Sequence, residues 1–219
     1  MKNSINSKRI FSAATAIGMS IVAGSASGAV VFNDDFESGS LSNWTGKSFG
    51  AHDALIVADP LDATNNALTF NTLDAAGEIF SMQLFEFSDA PLYEVSFDYL
   101  GYAQNGSVAN NFGGFVGYSQ GTPGRHTWVY GTSATSGAAD DLIDDGRWRT
   151  YTFEVDGATA FGGGAAGFRL MFEDFSGSGG VARDVFFDNI MVTAVPSPGA
   201  GFLAAGGLAM AARRRRRVD

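Results

Sequence analysis

The chain has 219 residues, 45% hydrophobic and 17% charged, enough for one substantial core and too few for several domains. Nineteen phenylalanines, and 29 glycines without a three-residue period, exclude the disordered and collagenous classes, while the absence of cysteine excludes disulfides, thiolate nucleophiles and thiolate metal sites. The formal charge of −9 is uneven: outside Lys2, Lys8, Arg9, the terminal arginines and Asp219, six basic residues face 22 acidic ones, a surface that excludes nucleic acid and leaves divalent cations and neutral polymers open.

Residues 1–29 have the order of a secretory signal peptide. A basic stretch ends at Lys8-Arg9, an apolar small-residue run follows from Phe11 to about Gly24, and Ser27-Gly28-Ala29 supplies the small residues that a signal peptidase reads, with the cut after Ala29. The alternative, an uncleaved anchor helix, has an apolar core shorter than the roughly 20 residues a span needs.

From residue 30 to 194, short alternating runs recur between clusters of Gly, Asn, Asp and Ser. In 92–101, Tyr93, Val95, Phe97 and Tyr99 share one face and Glu94, Ser96 and Asp98 the other; in 149–155, Tyr151, Phe153 and Val155 oppose Thr150, Thr152 and Glu154. Further strands are predicted at 54–58, 67–70, 79–87, 112–118, 126–130, 167–175 and 184–193. Around ten strands without intervening helices predict an all-β protein, an antiparallel β-sandwich and most economically a jelly roll.

Asn33-Asp34-Asp35-Phe36-Glu37-Ser38-Gly39, followed by Leu41-Ser42-Asn43-Trp44-Thr45, resembles the opening of the galactose-binding-like jelly rolls that include many carbohydrate-binding modules. Asp184-Val185-Phe186-Phe187-Asp188-Asn189-Ile190 is similar to their closing strand. By unbroken period two, Asp188 falls on the face of Phe186, Ile190 and Val192, the apparent core face, so its carboxylate needs a partner, a ligand or a proton. The resemblance implies a structural calcium ion on Glu37 and Asp188, with a further ligand in the loop from Asp62 to Asn66, and calcium suits such oxygen donors. A plain buried hydrogen bond and an Arg183 contact are the alternatives.

Other motifs carry less chemistry. Gly117-Tyr118-Ser119-Gln120-Gly121 matches a nucleophile elbow, but Pro123-Gly124 and a strand follow instead of a helix, so it reads as coincidence. Asp140-Asp141-Leu142-Ile143-Asp144-Asp145-Gly146 fails the EF-hand pattern and reads as a solvated acidic loop. The glycines from Gly162 to Gly167 precede a strand and so form a loop, not a dinucleotide site. Glu173 and Asp174 point to opposite faces of their strand, so they make no catalytic pair, and no catalytic residue is assigned. Trp44 and Trp148 are read as core, whereas Trp128 and Tyr130, with Tyr102 and Tyr118, are the candidates for an exposed sugar platform, core packing being the alternative.

The C-terminus combines Val195-Pro196-Ser197-Pro198-Gly199, an apolar run from Ala200 to Ala212, and Arg213, Arg214, Arg215, Arg216 and Arg217. Thirteen helical residues span roughly 20 Å, short of a ~30 Å hydrocarbon core, and the arginines would hold the end on the cytoplasmic side. This tripartite segment, 195–219, resembles the PEP-CTERM sorting signal of Gram-negative bacteria, with Pro-Ser-Pro where the name-giving form has Pro-Glu-Pro. The resemblance implies transient anchoring in the inner membrane, removal by an exosortase, of a variant kind, and delivery to the cell surface or extracellular matrix; a plain tail anchor is the alternative. The function expected is a non-catalytic, carbohydrate-binding-like surface module with extracellular polysaccharide as partner. A jelly-roll polysaccharide-active enzyme and a purely structural or adhesive matrix component are the competing readings.

Overall fold

Period-two alternation becomes two stacked sheets. The computed structural model describes residues 28–72, 79–102, 112–132, 138–176 and 182–196. Its strands are β1 Ala29–Asp34, β2 Trp44–Thr45, β3 Ala54–Ala58, β4 Asn66–Phe70, β5 Ile79–Ser81, β6 Phe85–Glu86, β7 Leu92–Gly101, β8 Phe112–Ser119, β9 His126–Gly131, β10 Asp140–Asp141, β11 Arg149–Asp156, β12 Gly167–Ser176 and β13 Val185–Val195. Among the described residues there is no α-helix, and no helix long and apolar enough to cross a membrane.

The first sheet runs β11-β7-β13-β4-β3, with β1 also on β13; the second runs β10-β9-β8-β12-β5-β2, with β6 also on β12. Pairing is antiparallel except for β10 on β9. The chain passes back and forth between the layers, as a jelly-roll sandwich requires. β1 and β4 share one edge of β13, β1 along its second half (Asp34 opposite Ile190) and β4 at Phe187 opposite Leu68. Ala29 and Ala194 are paired, so the two ends of the described domain lie side by side.

The inter-sheet core is aromatic. Tyr93, Val95, Phe97 and Tyr99 of β7 are buried, as their alternation predicts, and Phe97 and Phe187 of the first sheet meet Phe172 of the second at 6.0 and 5.1 Å between ring centroids. Each such side chain contributes about 1.5–3 kcal/mol by burial. Trp44 is core as expected, edge-on to Phe32 and Phe172, and its indole N–H donates to Asp34 Oδ2 at 2.8 Å.

Three expectations need correction. The run 79–87 divides into β5 and β6, which pair with different parts of β12. The acidic loop is not uniformly solvated: Asp140 and Asp141 are exposed in β10, but Leu142 and Asp144 are fully buried. Asp188 does not face the core. A bulge between Asp188 and Met191, with Asn189 at φ 49°, inserts one residue and reverses the alternation, so Val185, Phe187, Ile190 and Val192 point inward while Phe186 and Asp188 point outward.

Candidate functional site

The outer face of the second sheet holds cross-strand rows of side chains. In the middle row Phe80 of β5 lies beside Met171 of β12, Met171 beside Gly117 of β8, and Gly117 beside Trp128 of β9. One neighbouring row runs Arg169, Ser119, His126; the other runs Glu173, Phe115, Gly131. Phe80, Phe115 and Met171 are buried without belonging to the inter-sheet core, so this strand set is apolar on both faces.

Trp128 is partly exposed. It is held edge-on by Phe115 at 5.6 Å and by His126 at 5.8 Å, contacts that fix the indole without enclosing it. A Cβ at 117 would meet the Thr127 carbonyl oxygen and come within 3.0 Å of Trp128 Cα, so glycine there lets the backbone of β9 approach closely at the bulge.

At the other end of the face a short 3-10 turn, Lys47–Phe49, folds over the sheet. The Ser48 N–H donates to the Thr122 carbonyl, the Phe49 N–H to Thr122 Oγ1 at 3.2 Å, and the Arg169 guanidinium lies 5.0 Å from the Phe49 ring. Arg169 also donates to the Ser81 carbonyl at 2.9 Å and to that of Met82, and burial holds it below the ordinary arginine range. Between the turn and the sheet is a cavity of about 140 Å³ lined by Lys47, Phe80, Ser119, Gly124, His126 and Met171. That volume is below the roughly 300–1,000 Å³ of an enclosing small-molecule pocket.

Ser119 and His126 are opposite each other, but the Ser119 hydroxyl donates to the Arg125 carbonyl at 3.4 Å and accepts from the Gly121 N–H at 3.3 Å. β9 follows the turn where a nucleophile elbow needs a helix. Glu173 faces outward beside Phe115, and Asp174, opposite Gly114, points inward, as their adjacency requires.

The four aromatic platform candidates separate. Only Trp128 lies on this face. Tyr118 and Tyr130 pack inward: Tyr118 meets Phe161 at 5.1 Å, while Tyr130 meets Tyr151 at 5.1 Å and donates its hydroxyl to the Thr152 carbonyl. A second bulge, between Val116 and Gly117, puts Trp128 and Tyr130 on opposite faces although they are two residues apart. Tyr102, 38% exposed, is edge-on to Phe186 outside the first sheet. Trp148 also joins that outer cluster rather than the main core, donating its indole N–H to Asp59 Oδ2 at 2.9 Å.

The expected calcium ligands do not converge. Asp188, 3% exposed, accepts from the Asn65 amide at 2.9 Å and the Asn189 N–H at 2.7 Å; burial raises its pKa and the Asn65 bond opposes the rise. Exposed Glu37 accepts from the Asn66 N–H at 2.7 Å. Asp62 turns to Thr64 of its own loop, accepting from its N–H at 3.0 Å and its hydroxyl at 2.7 Å. Arg183 donates to Asn71, not to Asp188. Among the described residues no three acidic or histidine side chains form a metal-ligand group, so Glu37, Asp62 and Asp188 as placed do not fit a shared ion. Val195 ends β13 and Pro196 follows it. Residues 1–27, and Ser197, Pro198, Gly199 and the run to Arg213–Arg217, lie outside the described residues.

Solved structures with a similar course include carbohydrate-binding domains. The N-terminal CBM22-1-CBM22-2 tandem domain from Paenibacillus barcinonensis Xyn10C is 13% identical with a TM-score of 0.48, over 78% of this chain and 47% of the tandem, so the chain spans about half of that structure. CBM27-1 of Caldicellulosiruptor saccharolyticus, solved with mannohexaose, is 14% identical with a TM-score of 0.41, over 77% and 98%. The K3 cleaved adhesin domain of Lys-gingipain from Porphyromonas gingivalis is 15% identical with a TM-score of 0.42, over 78% and 99%. At these scores the likenesses carry no weight about function, and the fold rests on the strand pairing. No family model matches the chain, and no curated protein matches it.

Proposed function

We propose that the chain is an exported, non-catalytic surface protein whose sandwich binds a neutral polysaccharide across the outer face of the second sheet. The observation that supports this reading is Trp128 itself: a partly exposed indole fixed edge-on by Phe115 on the outer face of the second sheet, with exposed His126 beside it. An indole face matches the apolar face of a pyranose ring, and the imidazole suits its hydroxyls. A shallow face accommodates a polymer passing over it, where a closed pocket would require a chain end. The strongly acidic middle of the sequence disfavours anionic polymers.

Export and sorting rest on the two ends of the sequence. The reading holds that a signal peptidase cuts after Ala29 and that an exosortase removes the tail near Pro196-Ser197-Pro198 after transient membrane anchoring. Mass spectrometry of surface-exposed protein is expected to show a start near Val30 and loss of Arg213–Arg217; arginines retained on that protein contradict the sorting reading.

Binding is tested on an array of neutral glycans with the full chain. Affinity between millimolar and micromolar, about −4 to −8 kcal/mol, is expected. Trp128→Ala abolishes it with the fold retained, and Tyr102→Ala leaves it unchanged. Undiminished binding by folded Trp128→Ala overturns the assignment, and release of reducing sugar by the purified chain overturns the non-catalytic reading.

A further inference from the structure

A second aromatic ring stands exposed over the sheet that carries Trp128. Phe49 ends the short turn Lys47–Phe49, and it is 58% open to solvent although most rings of the domain are inside. It is also held. Ser48 and Phe49 lie at φ 56° and 58°, a left-handed region that a bulky residue seldom occupies unless its surroundings impose it. Here the Ser48 N–H donates to the Thr122 carbonyl and the Phe49 N–H to Thr122 Oγ1 at 3.2 Å, while the Gly46 and Gly50 N–H groups donate to the Gly50 and Lys47 carbonyls at 3.0 Å and close the turn on itself. The Arg169 guanidinium lies 5.0 Å from the ring centroid and is in turn fastened to the Ser81 and Met82 carbonyls. Met82 is itself 46% exposed, so two exposed apolar side chains are joined to one guanidinium, and Phe49 is not a singly scattered surface residue.

An unbroken line of neighbours connects this ring to Trp128. The Trp128 and His126 rings are 5.8 Å apart; His126 of β9 is opposite Ser119 of β8, Ser119 is opposite Arg169 of β12, and Arg169 lies against Phe49. His126 and Ser119 also line the cavity beneath the Lys47–Phe49 turn, so the line runs along the outer face of the sheet. Between β9 and β12 there are two strand spacings, roughly 10 Å, more than one sugar ring covers. Two fixed rings at that separation, with the exposed imidazole of His126 between them, suit successive units of an extended chain: apolar sugar faces lie on the aromatic rings and a hydroxyl reaches the imidazole.

We propose that Phe49 is a second stacking platform for the polysaccharide that Trp128 holds, so that the face selects an extended chain over mono- and disaccharides. This inference rests on the sugar face proposed above.

The full chain is titrated with β-1,4-linked gluco-, manno- and xylo-oligosaccharides, each from the disaccharide to the hexasaccharide. Affinity for the series that binds is expected to rise steeply once the chain spans both rings, because a second contact made by a chain already held acts at high effective concentration. Phe49→Ala and Phe49→Leu are expected to lose about five- to tenfold for the longer chains, the ordinary worth of one aromatic contact, and nothing for the disaccharide. Phe49→Tyr keeps the ring and stays near wild type. Trp128→Ala loses both long and short chains, and Leu61→Ala, which removes an exposed apolar side chain after β3, changes neither. All Phe49 variants are expected to melt close to wild type; if Phe49→Ala melts early, the contrast between Phe49→Leu and Phe49→Tyr carries the test. Binding that needs Trp128 but is equal for wild type and Phe49→Leu at every length overturns this proposal and leaves the sugar face standing. Loss in Phe49→Tyr as large as in Phe49→Leu overturns it too, and binding that ignores Trp128→Ala, or no binding in any series, overturns both readings.

Discussion

Asp34 shows how one carboxylate organises the opening of the domain. Its Oδ1 accepts from the Phe36 N–H at 3.1 Å and its Oδ2 from the Trp44 indole at 2.8 Å and the Asn43 amide at 3.2 Å, so the loop between β1 and β2 closes on an almost buried anion. Asp34→Ala leaves a buried indole N–H unpaired and is expected to cost about 2–3 kcal/mol in chemical denaturation, with Asp34→Asn costing less because an acceptor remains. Asp144 and Asp174 are the opposite case. Burial first, then the neighbouring acids, push each up to about 8, although the Tyr99 hydrogen bond opposes the rise at Asp144. A folded-state pKa above the unfolded value means that the folded chain holds protons the unfolded chain has released. Their contribution to stability is therefore complete below about pH 4 and is lost as pH rises to about 8. Melts from about pH 5 to pH 9 are expected to show wild type losing stability on this account, and Asp174→Asn a flatter profile; equal slopes contradict the assignment.

At the level of single elements, regular strands were legible in the sequence and irregular ones were not. β3 and β7 have their expected bounds, and β8, β9, β11 and β12 differ by a residue at an end, because unbroken alternation between Gly- and Asp-rich turns marks a strand directly. The two bulges left no such mark. At Asn189 one extra residue turned Asp188 from the expected core face to the outer face, and at Val116 to Gly117 another separated Trp128 from Tyr130. Asparagine at positive φ was the available hint for the first, since it tolerates the left-handed region better than most residues. Asn189→Ala also loses the 2.9 Å hydrogen bond to Asp98, and it is expected to cost about 1–2 kcal/mol, with Asn189→Gly relieving the backbone share. Equal destabilisation by Ala and Gly would show that the Asp98 bond, not the backbone, carries the cost.

For the molecule as a whole, composition and alternation were enough for an all-β sandwich, but not for which face of which sheet is open. Trp128 was recognisable as a possible platform; its companions Phe80, Met171, Ser119 and His126 come from three other strands and its own, and only the strand order β9-β8-β12-β5 places them together. The apolar residues on both sides of β12, Met171 against Leu170 and Phe172, were the one local sign that its outer face is also covered. The three tryptophans give this arrangement a direct readout. Trp44 is bound to Asp34 inside the core, Trp148 to Asp59 outside the first sheet, and Trp128 stands on the proposed sugar face. Titration of the 15N-labelled chain with a neutral oligosaccharide that it binds, following the three indole N–H signals by NMR, tests the assignment. The account predicts a saturable shift of the Trp128 signal with those of Trp44 and Trp148 unmoved; a stationary Trp128 signal beside a shifting Trp148 signal would place the ligand on the other sheet and contradict it.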